Sequence, residues 1–589
     1  MLILEPLYLK RNAGTTKRNW LWLAPTSPWS FVARLAVMMS EKLYLENQES
    51  LPFKLDGDIY PLNWSNLKPY TEPLLNIPLP PIDQTIHAFG VVNFYLGQIY
   101  HLFNEDFEKQ IRHFYERRVA GEVIHSRMWF VQLLLVLAFG RAFSSRTRTE
   151  DSPPGSKMFI SAMSIMPTQT FTGKDSLTVI ENLALISLYL YAIDHREGAH
   201  SHIGQAIRLA QLEGLHTQLP EDDLGSATVT RCRNIWWTLY IIDRQISSAL
   251  GLPMTVQDFD ISTLVDVPGG GPQSPTLGLK VRLSQMMSSI LRKIFKTEKT
   301  QLGRFLDITS EILQAMAGLA EEIEGIFPAG LQPTKDTMPH EMRHIILLYH
   351  QCVIIATRPL LLSVLKERME NLERPEEEWQ DFFVLPRNLV SIGIRSAVKS
   401  LEILSDDEIL LETFLPFDLE FTFSSVLHLT IAYALFHSDP TDYEHITGAQ
   451  KIFERLVSGG NRVAEARRAD LTHIQSLFQV FSNRIEEQGV KGLDLRDEPA
   501  DTYSQRTSFD EEQSTSQTES TAFEWSLVPE ADAESFMLAH DPLPQNLDWL
   551  ETIGISSNEF HSIVDKIGSQ DLPHESEDPT PIWMTRGSV

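Results

Sequence analysis

The sequence predicts an all-α protein, in which one large multi-helix domain is followed by an acidic C-terminal tail that we expect to be disordered. Apolar residues recur at spacings of three and four through most of residues 82–489, which is the period of amphipathic helices. Alternating apolar and polar runs, which would indicate strands, are scarce. Beyond residue 489 the character of the chain changes, and residues 502–520 are rich in Ser, Thr, Gln and Glu, a composition too poor in apolar side chains to fold by itself.

The composition limits the class of protein. The chain has 589 residues, of which 43% are hydrophobic, so it contains enough apolar material for a large core. The net charge is -28, and residues 497–589 contribute -17 of it through 20 acidic and three basic side chains. General phosphate binding needs clustered Lys and Arg, which this balance does not supply. The two cysteines, Cys232 and Cys352, favour a reducing compartment over a secreted disulfide framework.

The first 81 residues are predicted to be an N-terminal segment with a proline-rich linker. Two basic pairs, at positions 10–11 and 17–18, form a weak cluster. We interpret it as a solvated terminus in preference to a nuclear import signal or a phosphate contact. Residues 28–43 have the pattern of a short amphipathic helix, and seven prolines in residues 51–81 favour an extended connector.

Residues 82–489 are predicted to form the all-α domain. Its first helix, at 83–103, places Ile86, Phe89 and Leu96 on one face. The longest apolar run, at 129–140, is too short for a membrane span and is predicted to be a buried helix, so we expect no membrane partner. The remaining helices are expected at residues 122–143, 175–193, 202–215, 228–250, 277–298, 305–327, 340–368, 385–404, 417–436, 448–458 and 471–488.

The segment from Gly204 to Asp260 is the most informative part of the chain. In the predicted helix 228–250, aliphatic residues form one stripe and aromatic residues occupy the faces beside it. A helix that is apolar around most of its circumference should lie in the middle of the domain, so we interpret the tryptophan pair and the stripe as core. Asp243 and Arg208 are candidates for a buried ion pair, since each charge needs a partner once it is desolvated.

The order of residues in this segment resembles a known family. The chain reads GQAIRLAQLEGLH from Gly204 and RCRNIWWTLYIIDR from Arg231, and a G-L-P turn and a D-F-D-I sequence follow. This pattern resembles the central regulatory region of fungal binuclear zinc-cluster transcription factors, although Leu252 stands where the family usually has Arg. The residues that carry the resemblance, and to which we assign structural roles, are Gly204, Arg208, Arg233, Trp236, Trp237, Asp243, Arg244, Gly251 and Pro253.

The similarity extends from about residue 82 to residue 484. It includes residues 349–362, where the family has an Arg-Pro pair at the end of a helical run. The resemblance implies a nuclear regulator of RNA polymerase II genes, an activator in a metabolic or secondary-metabolism setting. In such a protein the central domain would control exposure of an activation segment, through a ligand, a homo- or heterodimer partner or an inhibitory contact.

The resemblance also implies DNA binding through an N-terminal zinc cluster. A binuclear cluster needs more thiolates than Cys232 and Cys352 provide, so we expect no cofactor in this chain, with zinc only if a cluster is encoded upstream of Met1. Three explanations stay open: the cluster was lost, it lies upstream, or the protein reaches promoters through a partner. We therefore expect DNA binding by the chain as given to be weak or indirect.

The acidic tail, which begins near residue 490, is the second candidate region. It carries separate aromatic and apolar clusters among its acidic residues. In activation segments the acids keep the chain soluble and open, while the aromatic residues dock in a groove of the transcription machinery or a coactivator. The alternative of an inert solubilising tail stays open. The candidate contact residues are Phe523, Trp525, Phe536, Trp549, Leu550 and Phe560.

One histidine-rich stretch is a candidate metal site. His195, Glu197, His200 and His202 lie close together in sequence, but the segment is expected to form a turn between helices. Metal sites usually hold their ligands on rigid elements, so no metal site is predicted here.

The sequence also lacks G-x-S-x-G, Walker and G-x-G-x-x-G patterns, so no catalytic residue and no enzyme activity is predicted. Two other classes stay open. One is an α-helical enzyme or small-molecule-binding protein with an apolar pocket in its core. The other is a partner that dimerises with zinc-cluster factors and titrates them without binding DNA itself.

Overall fold

Helices account for nearly all regular structure in the described part of the chain. The computed structural model describes residues 7–10, 20–24, 27–43, 56–60, 62, 77–120, 126–144, 152–166, 175–265, 275–295, 302–326, 338–370, 387–406, 410–436 and 442–487. Within these residues there are sixteen α-helices and one two-stranded antiparallel ribbon. The all-α prediction is thereby confirmed, while the acidic tail lies outside the described residues.

The elements are numbered in chain order. The ribbon consists of β1 (Leu7–Lys10) and β2 (Trp20–Leu23), with Leu7 opposite Leu23. The helices are α1 (Pro28–Lys42), α2 (Ile82–Val92), α3 (Phe107–Val119), α4 (Arg127–Ser144), α5 (Ser156–Ile165), α6 (Ser176–Ala192), α7 (Arg196–Leu212), α8 (Glu221–Leu224), α9 (Ser226–Leu250), α10 (Pro275–Lys293), α11 (Leu302–Ile326), α12 (His340–Glu370), α13 (Arg387–Ser405), α14 (Phe417–Leu435), α15 (Asp442–Ser458) and α16 (Arg462–Glu487).

The helices share one continuous core of buried apolar side chains. Helices α12, α13 and α14 pack against one another, α6 packs along α7, and α9 contacts α7, α10 and α1. By length and composition α4 and α12 could each cross a membrane, but 72% and 94% of their apolar stretches are buried among the other helices. Core helices of large proteins have the same composition, so this burial agrees with a packing role.

Several helices differ from the sequence prediction. Helices α3 and α5 were not predicted, and α2 ends at Val92, where a π-helical turn (Asn93–Gly97) follows. The Arg-Pro pair, which the family has at the end of a helical run, lies inside α12 here, because this helix continues through Pro359 to Glu370, close to the predicted helix at 340–368. Burial of Leu360 and Leu361, which follow the proline, compensates for the backbone hydrogen bond that proline cannot make.

The N-terminal segment is packed onto the helical body. Helix α1 lies against α9 and α16, and the Arg484 side chain donates a hydrogen bond of 2.6 Å to the carbonyl of Leu43. The Tyr60 hydroxyl donates to the carbonyl of Gly460 at 3.3 Å and accepts from the backbone N–H of Arg462 at 3.2 Å. The segment is thus bonded to the same core as the later helices, and the predicted domain boundary at residue 81 stays a prediction.

Helix α7 begins six residues before its predicted start, because its N-terminus is capped from a distance. Asp56 accepts hydrogen bonds from the backbone N–H groups of Arg196 at 2.7 Å and Glu197 at 3.4 Å. The N–H of Gly57 donates to the carbonyl of Asp194, whose φ of 61° lies in the left-handed region. Such a side-chain cap satisfies N–H groups that a helix leaves unpaired at its start.

Candidate functional site

The centre of the predicted motif lies in α9 and is buried. Trp236 and Trp237 are 1% and 2% exposed, and the aliphatic stripe that includes Ile235 and Ile242 is fully enclosed. The indole N–H of Trp237 donates to the carbonyl of Leu264 at 3.1 Å. This placement agrees with the interpretation of the tryptophan pair as core.

Five side chains join the second half of α9 to the loop that follows it, and we call them the motif clamp: Tyr240, Asp243, Arg244, Thr255 and Asp258. Arg244 bonds Asp243 at 2.9 Å, the carbonyl of Val256 at 2.7 Å and Asp258 at 3.1 Å. Asp243 accepts from the hydroxyl and the backbone N–H of Thr255 at 2.5 and 3.2 Å. The guanidinium of Arg244 and the carboxylate of Asp243 therefore both hold the loop against α9.

The charged pair at the centre of the motif clamp, Asp243 and Arg244, is buried, and its hydrogen bonds make that burial tolerable. Asp243 is 0% exposed and Arg244 is 2% exposed. The guanidinium stacks over the Tyr240 ring at 3.9 Å, and the Tyr240 hydroxyl donates to Asp258 at 2.6 Å. Burial raises the pKa of Tyr240, so this hydroxyl keeps the proton that it donates. Paired, hydrogen-bonded charges of this kind stabilise a structure only while both partners remain.

The turn after α9 explains the glycine of the motif. Gly251 has a φ of 69°, and the N–H of Leu252 reaches back to the carbonyl of Ser247 at 2.9 Å. This is the usual way in which a helix ends on a left-handed glycine. Pro253 follows in an exposed position, where it cannot extend the helix.

The remaining motif residues have separate positions. Gly204 is buried in α7, whereas Arg208 is exposed on the same helix. The predicted buried pair of Arg208 with Asp243 is therefore wrong, since Asp243 bonds its own neighbour Arg244. Arg233 is half-buried, lines a cavity of about 380 Å³ beside Leu215 and Leu219, and holds a buried Nε without a hydrogen-bond partner.

A second buried network, which the sequence did not reveal, joins the α6–α7 turn to α16. Arg467 donates two hydrogen bonds to Asp194, at 2.9 and 3.1 Å, and one to Asp470 at 2.8 Å. Arg196 lies 3.2 Å from Asp194, and its guanidinium covers the ring of Trp29 at 5.2 Å. Trp29 of helix α1 therefore packs on the Arg196 guanidinium, which this network holds in place.

Carboxyl groups outnumber the arginines in this network, and burial favours the protonated form of several of them. Burial raises the pKa of Glu420 to about 7, and the Tyr191 hydroxyl donates a hydrogen bond to this carboxyl. Burial also raises the pKa of Asp470 and of Asp56, against the opposing effect of the nearby arginines.

The histidine-rich stretch does not gather into a metal site. His200 and His202 lie on α7, and burial lowers the pKa of both. In the part of the chain that the structure describes, no group of three or more His, Cys, Asp or Glu side chains is placed to hold a metal ion. The predicted activation residues, from Phe523 to Phe560, lie outside the described residues.

The comparisons with known proteins agree with the motif. Residues 93–268, which contain α9 and the motif clamp, match the fungal-specific transcription factor domain. The resemblance seen in the sequence is thereby confirmed, and the matched family and its members are regulators of transcription, in agreement with the prediction that the chain is not an enzyme.

Similar proteins come from several fungi. A transcriptional regulatory protein of Schizosaccharomyces pombe is 25% identical over 50% of this chain and 37% of its own length. The regulatory protein of thiamine repressible genes of the same yeast is 19% identical over 59% of this chain and 46% of its own. An ABC-transporter-regulating transcription factor of Aspergillus fumigatus is 23% identical over 45% and 30%. The chain thus spans less than half the length of each of these relatives.

Glu412 gives a prediction about stability and pH. It is 2% exposed, its Oε1 accepts from the backbone N–H groups of Phe414 and Leu415 at 2.7 and 3.1 Å, and burial raises its pKa from 4.5 to about 8. Because the folded pKa is raised, the folded state binds more protons between these values, and stability is lost as pH rises through them.

We expect Glu412→Gln to remove this loss. Between about pH 5 and about pH 9, the free energy of unfolding of the variant should rise relative to that of the wild type. We expect a rise of at least about 1.4 kcal/mol, the value of one pKa unit. Urea denaturation followed by circular dichroism measures it. The exposed Glu444→Gln variant is the control, and equal pH profiles for wild type and Glu412→Gln would contradict the assignment.

Proposed function

We propose that the protein regulates transcription of RNA polymerase II genes in the nucleus, with the helical body as its regulatory domain and the acidic tail as its activation segment. The match of residues 93–268 to the transcription factor domain carries this proposal. The buried charges of the motif clamp, Asp243 and Arg244, support it, because they bond to one another, to Thr255 and to the backbone and are enclosed in the protein.

The names of the relatives support a metabolic setting. One relative is named for genes repressed by thiamine and another for the regulation of an ABC transporter. We propose that the targets of this chain are likewise genes of a metabolic or secondary-metabolite cluster, which the regulator activates. Expression profiling of a strain lacking the gene tests this setting, and unchanged transcript levels across all such clusters would contradict it.

The activation role predicts a large effect of the tail aromatics. When the full chain is fused to a heterologous DNA-binding domain, we expect it to activate a reporter. Replacing Trp549, Leu550 and Phe560 with alanine should lower that activity about tenfold, because hydrophobic anchors supply most of the affinity of such segments. The variant Val119→Ala, which changes a 90% exposed residue of α3, is the matched control. Full activity of the triple variant at equal protein level would support an inert tail.

Weak or indirect DNA binding predicts a negative result with DNA alone. The chain carries a net charge of -28, and the counterion release that drives DNA affinity needs clustered basic residues. We expect no sequence-selective gel shift at nanomolar protein, whereas specific complexes of regulators typically form in about that range. Adding a zinc-cluster factor that binds the same promoter should restore a shift if the chain acts through a dimer partner, and should abolish that factor's own shift if the chain titrates it.

A further inference from the structure

Arg358, in the middle of α12, is a buried arginine that contacts no carboxylate of the residues that the structure describes. Its side chain is 2% exposed. One guanidinium nitrogen donates to the Ser424 hydroxyl at 2.5 Å, the guanidinium lies 5.2 Å from the centre of the Phe31 ring, and Nε has no hydrogen-bond partner. Burial lowers the pKa of Arg358 to about 10, and no neighbouring acid opposes this change. Among the described residues, no carboxylate therefore compensates for this enclosed positive charge.

Other buried arginines of the helical body are neutralised. Arg244, Arg343 and Arg467 lie 2.9, 3.4 and 2.9 Å from the carboxylates of Asp243, Asp418 and Asp194. Pairing of this kind is the general rule, because an isolated charge loses its hydration when it is buried. Arg358 departs from the rule, and its position suits a negative charge that comes from outside the described residues.

His428 on α14 is a second unsatisfied group at the same place. It is 0% exposed, neither ring nitrogen has a hydrogen-bond partner, and burial together with the charge of Arg358 lowers its pKa to about 3. Gly393 of α13 permits the close approach, since a Cβ there would lie 2.7 Å from His428 Nε2 and 2.4 Å from Thr357 Oγ1. Three helices thus bring an unsatisfied guanidinium Nε and an unsatisfied imidazole to the same part of the core.

We propose that Arg358, Ser424 and His428 bind the carboxylate of a small organic acid, which takes the place of the Phe31 ring over the guanidinium. One carboxylate supplies the missing negative charge and can accept hydrogen bonds from the guanidinium edge and from a ring N–H of His428. Neutralisation of a buried charge and satisfaction of its orphan donors provide the binding free energy. This site is separate from the motif clamp and from the tail, so the inference does not depend on the proposed function.

Binding at this site acts on α1. Phe31 and Trp29 of this helix cover the guanidinium groups of Arg358 and Arg196, at 5.2 Å in both cases. An acid that displaces Phe31 removes one of these contacts and loosens the N-terminal segment from the body. Binding of the ligand would thereby change the position of the N-terminal segment relative to the helical body.

Thermal unfolding of the full chain tests the site, with acetate, hexanoate and inorganic phosphate as probes and chloride at matched ionic strength. A carboxylate should raise Tm in a saturable manner, by a few degrees at a concentration of about 100 times Kd. Arg358→Met should lose this response and should be at least as stable as the wild type without the probe, because it removes an uncompensated charge. The exposed Arg112→Met variant, which keeps the site, should respond as the wild type does.

The variant Phe31→Leu tests whether Arg358 is part of a carboxylate-binding site or only a packing partner of the Phe31 ring. It keeps apolar bulk but removes the ring that competes for the guanidinium, so carboxylate should bind about threefold to tenfold more tightly. Equal responses of the wild type and Arg358→Met would overturn the proposal, as would a response to phosphate alone or a marked loss of stability in Arg358→Met without any probe.

Discussion

Replacing Arg244 with methionine should lower the free energy of unfolding by about 3–5 kcal/mol, because the substitution breaks a buried ion pair from one side. Asp243 would keep its contacts with Thr255 but lose the guanidinium at 2.9 Å. Because Asp243 is 0% exposed, water could not replace that partner. Asp258 would lose the same partner at 3.1 Å. Urea denaturation followed by circular dichroism measures the change.

The chain supplies a matched control for this substitution. Arg208 belongs to the same sequence motif, but its side chain is exposed on α7. Arg208→Met should change stability by no more than about 0.5 kcal/mol, as is usual for surface positions without special contacts. Equal effects of the two substitutions would contradict the role of the motif clamp, since composition and motif membership are the same in both.

A second substitution should have an effect of similar size. Arg467→Met leaves Asp194 and Asp470 buried, at 5% and 4% exposure, without the guanidinium that bonds both at 2.8 to 3.1 Å. We expect a loss of about 3–5 kcal/mol, together with weaker docking of the N-terminal segment, because Asp194 also holds Arg196 beneath Trp29. Limited proteolysis should then cut within residues 27–62 at lower protease concentration than in the wild type.

The adjacent arginine tests the specificity of this effect. Arg468 follows in the same helix with an exposed side chain, so Arg468→Met should be nearly neutral. The double variant Arg467→Met with Asp194→Asn should recover part of the loss, since it removes one of the stranded charges. If the double variant is as unstable as expected from adding the two single effects, Asp194 and Arg467 are not coupled in the way that the distances indicate.

The sequence predicted the parts of the fold that depend on local pattern. Helix α9 was expected at residues 228–250 and is present at 226–250, because its apolar stripe recurs at helical spacing and Gly251 ends it. Helix α14 was located to within one residue, because it is apolar over nearly its whole length. The signal for α3 was present in Phe107, Ile111 and Phe114, which are its buried residues, but the many charged residues among them obscured it.

Contacts between distant residues were not predictable in this way. The early start of α7 depends on Asp56, which lies 140 residues before the N–H group that it accepts from. The partner of Asp243 was misjudged because helical spacing does not show which arginine turns inward. The network around Arg467 joins residues 273 positions apart, and no single segment contains its pattern.

The docking of the N-terminal segment bears on how the protein is made. Tyr60 pairs with Gly460 across 400 residues, and Leu43 with Arg484 across 441. Synthesis proceeds from the N-terminus, so the segment leaves the ribosome long before α16 exists to receive it. Closing such distant contacts late is slow, and the apolar face of α1 stays uncovered in the meantime. A nascent chain should therefore depend on chaperones until its last helix emerges, and truncation within α16 should cost far more soluble protein than the loss of the tail beyond it.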